Sequence, residues 1–178
     1  METINELYLK TAFCCIACDG EIATEELSLV KNLASESDLF ENIEVEVLLN
    51  QYLEDLKTKG NAFISCYLQS IANAQLAKDE ELKVCYIAIK TILVDKCIEY
   101  KEIAFFKRIR AKLEISDEDI LSATNIQNEF TTTDSFVLQG LTLQSFLQPD
   151  IIDDNIFDWN INLDKIELQT IESNLSHT

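Results

Sequence analysis

Apolar positions recur at helical spacing over the first two thirds of the chain. Leu7, Ala12, Cys15, Ile16 and Cys18 fall near one helical face, and Asp19-Gly20 follows them, a pair in which Gly suits helix closure and Asp suits the start of a turn. Thr24 predicts the cap of a second helix. Glu25 and Glu26 then lie in its first turn, where the helix dipole favours negative charge, and Leu27, Val30, Leu33 and Ala34 form its apolar stripe. Asp38 to Lys57 repeats the pattern with Val45, Leu48, Leu49, Tyr52, Leu53 and Leu56, and Lys59-Gly60-Asn61 breaks it. From Ala62 to Val94 apolar positions are almost continuous, interrupted by the charged run Lys78 to Lys83, which predicts two adjoining helices at the buried centre of the fold. A helix over about Tyr100 to Leu113 follows, and Ser116-Asp-Glu-Asp caps a last one.

After residue 124 the pattern changes to Thr, Asn, Gln and Asp with isolated β-branched residues, and Gly140 separates Phe136-Val137-Leu138 from Leu141-Thr-Leu143. Ile161-Asn-Leu163 and Ile166-Glu-Leu168 alternate at period two, so the expectation is an extended segment or short strands. The predicted organisation is a helical domain over 1–123 and an acidic C-terminal extension over 124–178. Phe146, Phe157 and Trp159 give that extension aromatic area to dock, either back onto the helices or onto a second chain. Three Gly and one Pro in 178 residues are too few for a many-stranded sandwich or barrel, so the fold class expected is all-α.

Charge narrows the partners. Residues 1–123 carry 23 Asp and Glu against 13 Lys and Arg, and residues 124–178 carry 9 against 1, for a net charge of −18. Such a field repels phosphate backbones and anionic lipid and favours basic proteins or divalent cations, so nucleic acid is discounted. Nine of the 14 basic residues lie between Lys78 and Lys112, a distribution that reads as a solvated helix surface or as a local positive face. No stretch approaches the roughly 20 apolar residues of a membrane span, and no basic region precedes an apolar run at the N-terminus. A cytoplasmic location is therefore expected. Cys14, Cys15, Cys18, Cys66, Cys85 and Cys97 then read as thiols packed in apolar helical surroundings.

Sliding the chain against itself by 76 residues aligns Asp19-Gly20-Glu21-Ile22-x-x-x-Glu26 with Asp95-x-x-Ile98-x-x-x-Glu102. Ala12, Ile16, Leu27, Leu29, Val30, Lys31 and Leu33 meet Ala88, Ile92, Ile103, Phe105, Phe106, Lys107 and Ile109 in the same register. This agreement predicts two equivalent helix-turn-helix units. The Ala17-Cys18-Asp19-Gly20-Glu21-Ile22-x-x-x-Glu26 segment and its partner Asp95 to Glu102 resemble the two hallmark stretches of the tellurite-resistance TerB family, over residues 5 to 122. The resemblance implies a multihelical fold with two central helices, pseudo-twofold repeats, and a metal-linked stress role without an established reaction. It places Asp19, Glu21, Glu26, Asp95 and Glu102 at the family's acidic positions. The second unit departs from the pattern, with Lys96 for Gly20 and Cys97 for Glu21, which weakens the case for symmetric metal binding.

Three chemistries can be drawn from these residues. Asp19-Gly20-x-Ile22-x-x-x-Glu26 has the spacing of the second half of an EF-hand loop, yet Cys15 and Ala17 stand where the first carboxylates belong, leaving too few oxygens for a closed site. Asp19, Glu21, Glu26, Asp95, Glu99 and Glu102 could instead converge between the two units and hold Ca²⁺ or Mg²⁺; as ordinary helix acids they would serve as caps. Cys14, Cys15 and Cys18 share helical spacing suited to a soft metal but supply three ligands locally. The lone His177 is terminal, and no phosphate loop or nucleophile elbow occurs. The expectation is a non-enzymatic, TerB-like adaptor with a protein partner, compatible with self-association and linked to metal or stress response. The alternative is a metal-dependent hydrolase built on the converged carboxylates.

Overall fold

The computed structural model describes residues 1–94, 97–134, 138 and 140–148. Among these residues the regular structure is helical, without a strand. The helices are α1 (Ile4–Ala17), α2 (Thr24–Glu36), α3 (Val45–Lys59), α4 (Asn61–Asn73), α5 (Lys78–Val94), α6 (Tyr100–Arg110), α7 (Asp117–Ser122), α8 (Thr124–Thr132) and α9 (Leu143–Leu147), with a short 3₁₀ turn at Asp38–Phe40 before α3.

Local chemistry sets the boundaries. A reciprocal box opens α1, with the Glu6 N–H donating to the Thr3 hydroxyl at 3.2 Å and the Thr3 N–H donating to the Glu6 carboxylate at 2.7 Å. Its end is closed by Gly20, whose φ of +87° lies where side chains are strained, and whose N–H reaches the Ala17 carbonyl at 3.1 Å. Between α3 and α4, Gly60 adopts φ 55°, ψ −130°, a conformation essentially reserved to glycine. The break between α4 and α5 falls earlier than the charged run suggests, at 74–77, where Gln75 has a φ of +49°. Lys78 to Lys83 does not interrupt a helix. It opens α5, with three acids in the first turn and Glu80 accepting the Ala77 N–H at 2.8 Å, a placement the helix dipole favours.

Helices α1 and α5 form the most extensive pairing. Tyr8 and Leu9, and then every residue from Thr11 to Cys18, are buried in or just beyond α1, so it is enclosed on all sides and not on one face as its periodicity suggests. The central pair is therefore α1 with α5, not α4 with α5. Helix α4 is an outer, one-sided helix that buries Phe63, Ile64, Tyr67, Leu68 and Ile71 and exposes Ser65, Cys66 and Gln69. The reason is side-chain size. Ala12, Cys14, Cys15, Ala17 and Cys18 let neighbours approach α1 from several directions at once.

Residues 124–132 and 143–147 are helical, correcting the expectation of an extended segment or strands over that part of the extension. Helix α8 packs on α5, and α9 packs on α6 and α7. Phe146 of α9 is fully buried, with ring-centroid distances of 5.7 Å to Phe106 and 5.4 Å to Phe130, both edge-on. Of the three aromatic anchors expected to dock, Phe146 thus folds back onto the helices. Phe157, Trp159 and the two alternating segments, Ile161 to Leu163 and Ile166 to Leu168, lie outside the described residues.

Two outcomes follow from this packing. Tyr67 and Thr11 are fully buried; the Tyr67 hydroxyl donates to Thr11 Oγ1 at 2.8 Å, and the Thr11 hydroxyl donates to the Leu7 carbonyl at 2.9 Å. Thr11→Val strands the phenol and should lower stability by about 1–3 kcal/mol in urea denaturation. Adding Tyr67→Phe should recover part of that loss, whereas strictly additive costs would show that the pair is not coupled. Ending the chain at Ala123 removes Ile126 and Phe146 from the core, at roughly 1.5–3 kcal/mol each. The shortened chain should bind an apolar dye and melt at lower temperature; an unchanged Tm without dye binding would contradict this role for α8 and α9.

Candidate functional site

The two turns aligned in the sequence follow α1 and α5, and Asp19 of the first lies within electrostatic reach of Glu99 of the second. In the first, Asp19 stands between α1 and α2 with its carboxylate accepting the Glu21 N–H at 2.8 Å, an arrangement that tightens a turn. Helix α2 is not capped by the Thr24 side chain, as its composition suggests. Thr24 is the first helical residue, and Ala23 occupies the cap position. Because alanine has no acceptor, Glu26 supplies the local closure by reaching back to the Ala23 N–H at 2.7 Å.

The second turn repeats this bond. Glu102, 7% exposed, accepts the Glu99 N–H at 2.8 Å at the start of α6. Helices α2 and α6 begin at Thr24 and Tyr100, and the two carboxylate-to-backbone bonds sit in the same 76-residue register. Glu26 and Glu102 both line a small, solvent-open cleft, together with Ile16, Leu29, Val30, Leu33, Thr91 and Val94. Convergence thus occurs for this pair, on a lining that is mostly apolar.

Electrostatics link the remaining acids. Half-burial raises the Asp19 carboxyl above its usual 3.8; the Glu21 N–H and Lys101 oppose that rise, while the charges of Glu99 and Glu21 add to it. Asp19 and Glu99 therefore feel each other across the two turns, and Glu21 points into solvent beside them. Asp95 lies outside the described residues, so the six-acid set is placed here for five of its members. Among the described residues no group of three or more His, Cys, Asp or Glu is arranged to hold a metal ion.

The thiols divide. Cys14, Cys15, Cys18 and Cys85 are buried, whereas Cys66 and Cys97 are exposed and so depart from the expectation of six packed sulfurs. Burial pushes Cys14, Cys15 and Cys18 well above the ordinary thiol range and Cys85 up to about 12. Soft metals bind the thiolate, so this environment works against ligation; Cys18 instead donates to the Cys15 carbonyl at 3.1 Å. The basic stretch is partly neutralised within the chain. Lys78 pairs with Asp119 at 2.7 Å, Arg110 with Asp117 at 3.0 Å and Lys90 with Glu129 at 3.2 Å.

A buried acid escaped the sequence reading. Glu81 of α5, 7% exposed, accepts the Glu114 N–H at 2.9 Å and the Ile115 N–H at 2.7 Å, tying the turn after α6 to the central helix. The signal was its place in the buried stripe, three and four residues before Val84 and Cys85.

Asp19 gives a pH test. A carboxyl raised in the folded state binds its proton to higher pH than in the unfolded chain, so its ionisation destabilises the fold and the penalty is relieved as pH falls through the folded value. Asp19→Asn keeps an acceptor for the Glu21 N–H and removes the charge. Its stability at about pH 7 should equal or exceed that of the parent, with the difference shrinking below about pH 4. A variant that is less stable at neutral pH would show that the charge contributes favourably. Comparison with family models, curated proteins and solved structures returned no match.

Proposed function

We propose that this chain is a non-catalytic interaction module of the TerB-like helical type, engaging a basic protein partner through its acidic surface. The observation that carries the reading is the use of Glu26 and Glu102 as paired helix caps beside an apolar cleft. Carboxylates bonded to their own helix starts shape a surface; a hydrolytic centre needs several acids aimed into one open pocket, and the polar lining of this cleft is Glu26, Glu102 and Thr91. The net charge of −18 supplies long-range attraction for a cationic partner.

The duplicated organisation is supported by the common register of the helix starts and caps. It extends past residue 124: Leu49, Tyr52 and Leu53 of α3 have counterparts 77 positions on in Ile126, Glu129 and Phe130 of α8. Tyr52 donates from its hydroxyl to the Glu6 carbonyl of α1 at 3.2 Å, and Glu129 accepts from Tyr86 of α5 at 3.1 Å. In this reading the first part of the extension completes the second unit.

The crowding of Asp19 by Glu99 favours one further reading, a divalent cation held between the two turns. Thermal unfolding of metal-stripped protein with millimolar Ca²⁺ or Mg²⁺ separates the two. The interaction reading expects no ion-specific rise in Tm, and expects a tagged full chain to retain a basic protein from its own cells that is released as ionic strength shortens the screening length. A ligand at about a hundred times its dissociation constant stabilises by roughly 2.7 kcal/mol. A rise of that size, lost in Asp19→Ala/Asp95→Ala, would replace the interaction reading with the metal site.

A further inference from the structure

The chain after α6 is tied to α5 by polar side chains at successive turns of that helix, Lys78, Glu81, Tyr86 and Lys90. Buried Glu81 accepts the Glu114 and Ile115 amides at 2.9 and 2.7 Å, and Lys78 pairs with Asp119 of α7 at 2.7 Å. With Ile115 and Ile120 also buried, the entry into α7 is fixed. Farther along α5 the tie is of another kind. Lys90 donates to Glu129 of α8 at 3.2 Å and to the Tyr86 hydroxyl at 3.0 Å, and that hydroxyl donates to Glu129 at 3.1 Å. These groups stay partly open to water, the Lys90 and Glu129 side chains at 26% and 19%.

Helix α8 has little else to hold it. Ile126 is its one buried residue, Thr124, Asn125, Gln127, Asn128, Thr131 and Thr132 face water, and Phe130 is half-buried against Phe146 of α9. Ala123, at its cap, offers no side-chain acceptor to the first amides. A helix this short does not form by itself in water. Helix α3, its counterpart in the duplicated reading, buries Leu49, Tyr52, Leu53 and Leu56, and the Tyr52 ring lies 5.5 Å from Phe13 and 6.0 Å from Phe63. Glu129 stands 77 positions on from that tyrosine. A carboxylate bonded at the edge of water thus takes the place of an aromatic ring in the core. The carboxylate can exchange its partners for water at small net cost, and the ring cannot.

Both ends of α8 allow it to turn. Ala123 alone joins α7 to α8, at φ −72° and ψ 110°, and Thr133 leaves the helix in the same extended region, at φ −71° and ψ 139°. The geometry points to α8 as a hinged element that opens from α5 about Ala123, with Glu129, Lys90 and Tyr86 as its latch. Elements with few buried apolar contacts are the ones that open short of global unfolding. Opening stops at Ala123 because Glu81, Ile115 and Ile120 hold the chain into α7, and Phe146 keeps Phe106 at 5.7 Å when Phe130 moves away. The closed and open forms differ in whether Tyr86 and Lys90 meet Glu129 or water.

Hydrogen–deuterium exchange of the full chain, resolved along the sequence by mass spectrometry, reads the opening. Amides of α8 should exchange faster than those of α1 and α3. Glu129→Gln, which keeps the side chain's shape, and Lys90→Met, which keeps its stem, should each speed α8 exchange by about tenfold, the loss expected for a hydrogen bond to a charged group. Both should leave α3 unchanged. Lys57→Met breaks the exposed pair of Lys57 with Glu54 on α3, 3.2 Å apart, and should alter neither helix. Exchange in α8 as slow as in α1 would overturn the hinge. Exchange in α8 unmoved by both latch variants would overturn the latch, and so would equal acceleration of α1, α3 and α8, which would reduce the cluster to a contribution to global stability.

Discussion

The fold depends on the contact between α1 and α5, two helices enclosed by the others. A helix buried all round needs neighbours on every side, and side chains of Ala and Cys size along α1 make room for them. The same enclosure explains why α1 and α5 carry few polar side chains along their buried lengths, and why those that occur are bonded: Thr11 with Tyr67 and Leu7, Thr91 with the Ile87 carbonyl, Glu81 with two backbone amides. Among the described residues, no buried side-chain nitrogen or oxygen lacks a partner.

Much of the helical layout could be read from the chain because it rests on local physics. Glycines at 20 and 60, Ser116 before three acids, and the stripes of α2 and α3 each announce a boundary or a face without tertiary information. The misreadings come where tertiary context decides. Apolar residues fill α1 beyond the stripe of Leu7, Ala12 and Cys15, at Tyr8, Leu9, Phe13 and Cys14, so a one-face pattern understates its burial, while the apolar content of α4 made that helix look central. Polar composition after residue 124 resembled strand and extended chain, yet Ile126, Leu143 and Phe146 suffice to hold two short helices against α5 and α6. Short helices that depend on docking carry little intrinsic signal.

Glu26 and Glu102, 76 residues apart, each accept the backbone N–H three residues before them. Their work could not be read from spacing, because an N-terminal cap and a metal ligand ask for the same residue types in the same turns. One oxygen of each acid is bonded to a backbone amide: Asp19 to that of Glu21, Glu26 to that of Ala23, Glu102 to that of Glu99. Glu81 went unremarked for the converse reason. A buried carboxylate is unexpected on a central helix until the two amides it holds, 33 and 34 residues away, are seen.

The division of the sulfurs shapes how the molecule ages in air. Four of the six are buried with their protons held on by burial, so they offer little thiolate to oxidants. Cys66 on the outer face of α4 and Cys97 just ahead of α6 are left to meet peroxide or a neighbouring thiol. Oxidative damage therefore begins at the periphery, and the central helices stay chemically unaltered for as long as the fold stays closed.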